Sequence, residues 1–270
     1  MSKLHSSLGF HRITVLVSRT VFEKKRKSST PSKSFSREDT KKILAPDSPF
    51  VIKEAYSSIR TNLLFMQKGE KCPIFVVTSP TANNGKTINS INLAVSFAQM
   101  GKRTLLIDSD MRNPTIHRMF SIPVKNGLSE ILAGLTDNIT VSKTEIENLS
   151  VLTGGKIPPN PAELLASSRM DKLLEFVKEH YDCVFIDTPP VNLVTDATVF
   201  SQKTTGYIMI VKSNANDSAD VKTAVSSLDS IGGNILGFIL NDVTSGKNKY
   251  YSYYRKYGYK YKYSYGYGEK

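Results

Sequence analysis

The chain of 270 residues has no tryptophan, two cysteines and four histidines. Cys72 and Cys183 show no metal-ligand spacing, the histidines do not cluster with them, and two such thiols offer no disulfide framework. A reduced, cytoplasmic setting fits that usage. Long apolar runs are missing too. The longest near the N-terminus, Ile13-Thr14-Val15-Leu16-Val17, is far short of the roughly 20 residues a helix needs to cross a bilayer. It is followed by the basic run Glu23-Lys24-Lys25-Arg26-Lys27, which is the wrong order for a secretory signal.

Negative charge is scarce at both ends. Residues 1–45 hold 11 basic and 3 acidic groups, residues 247–270 hold 7 and 1, and the stretch between holds 18 and 20. The net charge of +12 therefore belongs to the ends, not to a basic core, and no nucleic acid is expected as a partner. Residues 1–45 read as a basic, unstructured extension, or as a peripheral membrane contact through those cations. Pro46 and Pro49 close that segment, residues 46–246 read as the folded domain, and 247–270 as a tail without apolar periodicity.

Within the domain, short β-rich runs alternate with helical stretches. The runs are Ile74–Thr78, Thr104–Ile107, Leu149–Leu152, Cys183–Ile186, Tyr207–Val211 and Ile235–Leu240. Their near-continuous apolar character is that of strands buried on both faces of a parallel sheet. Helices are expected over Phe50–Phe65, Lys86–Met100, Ala162–Glu179 and Ser218–Ser230. The expected fold is α/β, a doubly wound and mostly parallel sheet with its ligand at the carboxyl ends of the strands.

The first of those strands runs into Ser79-Pro80-Thr81-Ala82-Asn83-Asn84-Gly85-Lys86-Thr87, and a helix opens at Lys86. Successive N–H groups at such a turn make a concave anion site. Lys86 would reach the β- and γ-phosphates, and the Thr87 hydroxyl would ligate Mg²⁺. Pro80 stands at the first glycine position of the strict phosphate-loop pattern. Asp108 and Asp110 follow one apolar strand and Asp187 ends another, so three carboxylates converge on the ligand crevice. The other reading of each is a helix cap. Beyond the domain, ten of thirteen tyrosines crowd the last 21 residues: Tyr250, Tyr251, Tyr253, Tyr254, Tyr257, Tyr259, Tyr261, Tyr263, Tyr265 and Tyr267. A nucleotide site and a row of phenol hydroxyls on one chain point to an enzyme carrying its own phosphate acceptors. Tyr56, Tyr181 and Tyr207 lie in expected structured elements and read as packing residues.

The run Leu105-Leu106-Ile107-Asp108-Ser109-Asp110-Met111-Arg112-Asn113-Pro114 resembles the Walker A′ motif of the bacterial tyrosine kinases, and the Asp187 strand resembles their Walker B. Asn126-Gly127-Leu128-Ser129, Ile157-Pro158-Pro159-Asn160-Pro161-Ala162-Glu163-Leu164-Leu165 and Thr195-Asp196-Ala197 are similar to that family as well. The resemblance spans about residues 49–270 and is nearest to the cytoplasmic kinase subunits of Gram-positive capsule and exopolysaccharide systems. It implies ATP and Mg²⁺ as cofactors and the tail tyrosines as acceptors. Lys86, Asp108, Asp110 and Asp187 become the catalytic set. Asn83, Asn84, Gly85, Lys86, Thr87 and Ile88 hold nucleotide, and Thr87, Asp110 and Asp187 hold metal. Asp108 is the first choice for accepting the tyrosyl proton, with Asp187 ordering water at the metal. Asn241 resembles an adenine-contacting asparagine, or is a turn residue. The implied partners are a transmembrane activator (a polysaccharide co-polymerase subunit), a second copy whose tail is modified in trans, and a cognate tyrosine phosphatase. Membrane association would be peripheral, through the activator.

Two positions depart from that family. Ala82-Asn83 replaces a Pro-Gly pair, and the interface motif Glu-x-x-Arg-x-x-Arg reads Glu54, Ser57, Arg60. With one arginine absent, weaker oligomerisation is expected. The rival class is a ParA/MinD-type nucleotide switch, but such ATPases carry a lysine where this chain has Thr81. A third reading makes the tail an RNA-binding or self-associating segment.

Overall fold

The computed structural model describes residues 40–67, 69–213 and 215–243, together with the backbone of 13–18. The tail 247–270 and its ten tyrosines lie outside the described residues. The strands are β1 (Ile13–Ser18), β2 (Ile74–Thr78), β3 (Thr104–Asp108), β4 (Ser142–Lys143), β5 (Leu149–Leu152), β6 (Cys183–Asp187), β7 (Gly206–Lys212) and β8 (Ile235–Val243). The helices are α1 (Phe50–Met66), α2 (Lys86–Ala98), α3 (Ile116–Met119), α4 (Leu128–Leu132), α5 (Pro161–Ala166), α6 (Ser168–His180) and α7 (Ser218–Asp229), with a 3₁₀ turn at Thr195–Phe200.

The strands form one sheet in the order β1-β8-β7-β2-β6-β3-β5-β4. Every pairing is parallel except β4 with β5. Side chains alternate across the sheet. Ile74, Val76, Leu105, Ile107, Val184 and Ile186 face a core shared with α6 and α7. Phe75, Val77, Leu106, Phe185, Ile208 and Ile210 face a second core shared with α1 and α2. Both faces are thus covered, which is why the strand sequences read as unbroken apolar runs.

The packing that matters for the site is that of α2. The Phe97 ring packs tilted against Phe75 at 6.1 Å and edge-on to Phe185 at 5.2 Å between centroids, anchoring α2 across β2 and β6. Emptying such a site by Phe→Ala typically costs about 3–5 kcal/mol. The other end of α2, its N-terminus, is thereby held at the carboxyl edge of β2. That edge is a switch point, where chain order reverses between β7 and β6 and ligands enter doubly wound sheets.

Three expectations need correction. The segment 1–45 is not wholly an unstructured extension. Its run at Ile13–Leu16 pairs in parallel with β8, from Ile13 opposite Gly237 to Leu16 opposite Leu240. An open sheet edge presents unpaired N–H and C=O groups, and a β-branched run can satisfy them. Leu44 is buried and also belongs to the folded domain. The single helix expected over Ala162–Glu179 is two, because Ser167 is extended at φ −72° and ψ 157°. Its hydroxyl donates to Leu164 O at 2.6 Å, a local alternative to the helical ladder. Finally, α2 stops at Ala98, where Gly101 (φ 80°) turns the chain with its N–H on Ala98 O. Among the described residues no helix is long and apolar enough to cross a membrane.

Candidate active site

The turn between β2 and α2 spends its carbonyls on hydrogen bonds and leaves its N–H groups uncommitted. Gly85 has φ 86°, and a Cβ there would lie 2.2 Å from Asn241 Nδ2, so glycine is required both by backbone and by space. Asn83 takes φ 62°, a left-handed geometry that asparagine tolerates better than most residues. The loop carbonyls are held from outside. Pro80 O accepts from Asn192 N at 3.4 Å, and Thr81 O accepts from Ser79 Oγ at 2.7 Å and from Asn84 Nδ2 at 3.1 Å. Asn84 O accepts from Asn241 Nδ2 at 2.9 Å, and Gly85 O from Asn89 Nδ2 at 2.9 Å. Among the described residues, no acceptor meets the backbone N–H groups of Ala82 through Thr87. A row of uncommitted donors at a helix N-terminus fits the phosphates of a nucleotide. Ile88 follows on, its side chain packed toward the α1–α2 core.

Around that turn the expected acids do converge. Lys86 Nζ is 2.7 Å from Asp110 Oδ2 and 3.9 Å from Asp187 Oδ2. The Thr87 hydroxyl donates to Asp187 Oδ2 at 2.7 Å, and Ser90 donates to Asp187 Oδ1 at 2.8 Å. Burial works against the Lys86 ammonium, but the carboxylates of Asp187 and Asp110 outweigh it and lift its pKa above the ordinary value. Burial likewise raises Asp187, against the pull of Lys86 and the Thr87 hydroxyl. Among the described residues no three His, Cys, Asp or Glu side chains form a metal cage. Thr87 bonds Asp187, and Asp110 meets Lys86 beside them, so hydroxyl and carboxylate oxygens, the donor type that Mg²⁺ takes, come together at the turn.

Asp108 is more constrained than expected. Its Oδ2 accepts from Thr115 N at 2.9 Å and from Ile116 N at 3.0 Å, which is the capping role weighed for strand-end acids. Its Oδ1 is buried and has no partner among the described residues. Burial first, then the neighbouring Asp187 charge, push its pKa up to about 7, against the Ile116 hydrogen bond. One oxygen thus fixes the orientation of the carboxyl group.

Two features carried no site assignment in the sequence. Arg112 clamps the fully buried Asp196 through two bonds of 2.9 Å, tying the segment after β3 to the 3₁₀ turn after β6. The presence of both residues in family-like motifs was the available signal. Asn216 Nδ2 donates to Thr81 Oγ1 at 2.9 Å, bracing the loop from the β7–α7 side. As for the interface pair, Glu54 is exposed, whereas Arg60 turns into its own protomer. Arg60 Nη1 donates to Ser96 O at 2.7 Å and to Ser96 Oγ at 3.0 Å, and Nη2 donates to Ser57 Oγ at 3.1 Å.

Residues 78–220 match the family model described as an AAA domain. The chain is 40% identical over 204 residues to the putative tyrosine-protein kinase CapB of Staphylococcus aureus, covering 75% of this chain and 90% of that protein. The structure of the chimerical protein CapA2B2 superposes with a TM-score of 0.76 at 35% identity, covering 90% of this chain and 98% of that one. The kinase domain of the Escherichia coli tyrosine kinase Etk gives a TM-score of 0.73 at 30% identity, with 94% of each chain covered. At 40% identity over 90% of CapB, the chain belongs to the family of bacterial tyrosine-protein kinases.

Proposed function

We propose that the chain is an ATP- and Mg²⁺-dependent tyrosine autokinase that modifies its own C-terminal tyrosines, Tyr250 to Tyr267. The observation that carries this reading is the row of uncommitted loop N–H groups leading into Lys86 and Thr87, which bond Asp110 and Asp187. In phosphoryl transfer the protein's part is mostly positioning and charge stabilisation. Bound Mg²⁺–ATP supplies the electrophilic phosphorus. Lys86 and the loop N–H groups would neutralise phosphate oxygens, and Thr87 and Asp110 would hold the metal. Asp187 orients the Thr87 hydroxyl and would order water at the metal. A tyrosyl hydroxyl has an ordinary pKa of about 10, so an acceptor must take its proton as it attacks, and the unpartnered Asp108 Oδ1 is assigned that part. Asn241 touches the loop through its amide nitrogen, which leaves its carbonyl oxygen for the adenine.

Similarity to CapB and to the CapA2B2 chimera supports a role in regulating capsular or exopolysaccharide synthesis and export. It also supports a transmembrane activator as partner, with peripheral membrane association through it. A second copy and a cognate tyrosine phosphatase complete the proposed partners. Incubation of the purified chain with ATP, with and without a Mg²⁺ chelator, tests the activity. Phosphotyrosine that accumulates only with metal supports it, and its absence in both arms defeats it.

A further inference from the structure

One of the grips on the phosphate loop leads far from the site. Gly85 O accepts from Asn89 Nδ2 at 2.9 Å. Asn89 Oδ1 accepts from the Tyr56 hydroxyl at 3.0 Å, and that hydroxyl accepts from Asn92 Nδ2 at 3.2 Å. Asn92 Oδ1 accepts from the Leu44 N–H at 2.7 Å, while Asn92 Nδ2 also donates to Lys42 O at 3.0 Å. Hydrogen bonds thus run without a gap from residues 42–44, through the α1–α2 contact, to the peptide group joining Gly85 to Lys86.

Polar side chains at a buried helix contact are costly unless fully bonded. Tyr56, Asn89 and Asn92 are all buried, and every polar atom of their side chains has a partner. Apolar residues would fill the same space without that demand, so packing alone does not account for the trio. The peptide group is planar and trans, so its carbonyl and N–H point in opposite directions. Gly85 O also accepts the Asn89 N–H at 3.1 Å, the first bond of α2, and the Asn89 amide adds a second donor that fixes this carbonyl, so the Lys86 N–H is held pointing away from Asn89.

We propose that Tyr56, Asn89 and Asn92 are positioning residues of the nucleotide site, forming a relay that sets the Gly85–Lys86 peptide and is closed by the docking of residues 42–44. This rests on the nucleotide-site reading above. It also gives Tyr56 a role other than phosphate acceptor, which its buried hydroxyl could not fill.

The test is Tyr56→Phe in the full chain, which deletes one hydroxyl and strands Asn89 Oδ1 and Asn92 Nδ2. Tyr207→Phe is the control, since that buried hydroxyl bonds Ala197 O at 2.8 Å, away from the loop. An unsatisfied buried group propagated to the loop should raise the KM for ATP about 5- to 10-fold in Tyr56→Phe, with kcat within about twofold. Tyr207→Phe should change neither constant. Asn89→Ala, which cuts the relay at the loop, should repeat the KM effect and decides the matter if Tyr56→Phe does not fold. Equal behaviour of the Tyr56 and Tyr207 variants, or a loss in kcat alone, would overturn the relay. Failure of the wild-type chain to saturate with ATP would overturn the nucleotide site itself, and the relay with it.

Discussion

Asp108 and Asp187 stand directly opposite each other on the parallel strands β3 and β6, and both are fully buried. Lys86 reaches toward this pair from the head of α2, but its short contact, 2.7 Å, is with Asp110. Lys86 stands farther from Asp187, at 3.9 Å, so burial and the Asp187 charge still act on Asp108 with only part of their effect offset.

A pH dependence of stability follows from this pairing. The Asp108 carboxyl is raised from 3.8 to about 7, so the metal-free fold keeps a proton that the unfolded chain has already released. The contribution of Asp108 to stability is then fully present below the ordinary carboxylate range and is lost as pH rises through about 7. Urea midpoints in chelator at about pH 5 and pH 8 should show this fall in the native chain and a smaller one in Asp108→Asn. Equal falls in the two proteins would refute the assignment.

Lys86→Met should leave the fold intact, because it removes charge compensation and little packing. Phosphorylation should drop by about 10²–10³-fold or more, the scale of losing one preorganised charge-stabilising group. Circular dichroism and phosphotyrosine detection on the same preparation check both halves.

The Arg112–Asp196 clamp should respond asymmetrically. Asp196 is fully buried, whereas the Arg112 side chain is 43% exposed. Arg112→Ala leaves an unpaired buried carboxylate and should cost about 1–3 kcal/mol, more than Asp196→Ala, which leaves an arginine free to hydrate. Thermal denaturation of the two variants orders them.

Assembly should be weak, since Ser57 removes one arginine from the helix face and Arg60 is bonded to Ser96 within the protomer. Ser57→Arg restores a cation and should raise the sedimentation-derived association of unphosphorylated protein. A tight oligomer in the native chain, unchanged by Ser57→Arg, would place assembly on other surfaces.

The sheet and the phosphate turn were legible because their signals are local. Runs such as Ile74–Thr78 abut turn residues, and Gly85-Lys86-Thr87 sits between a strand and a helix. What escaped depends on partners distant in sequence. Nothing near Asp108 says that Oδ2 will cap at Thr115 and Ile116 while Oδ1 stays unpartnered. Ser57 suggested a lost interface contact, but the destination of Arg60 is Ser96, on another helix. Asn89 and Asn92 read as ordinary helix positions until Tyr56 is seen between them. The helix break at Ser167 was hidden because the apolar stripe Met170, Leu173, Leu174, Val177 is correct on its own side of the break.

The central claim is that one chain holds both the phosphoryl-transfer site and its acceptors. Intact mass of the purified full-length protein, followed over time with Mg²⁺-ATP and then mapped by peptide, tests it most directly. The account predicts stepwise phosphate additions confined to peptides containing Tyr250 to Tyr267, and none in Lys86→Met. An unchanged mass in the native chain, or additions that persist in Lys86→Met, would contradict it.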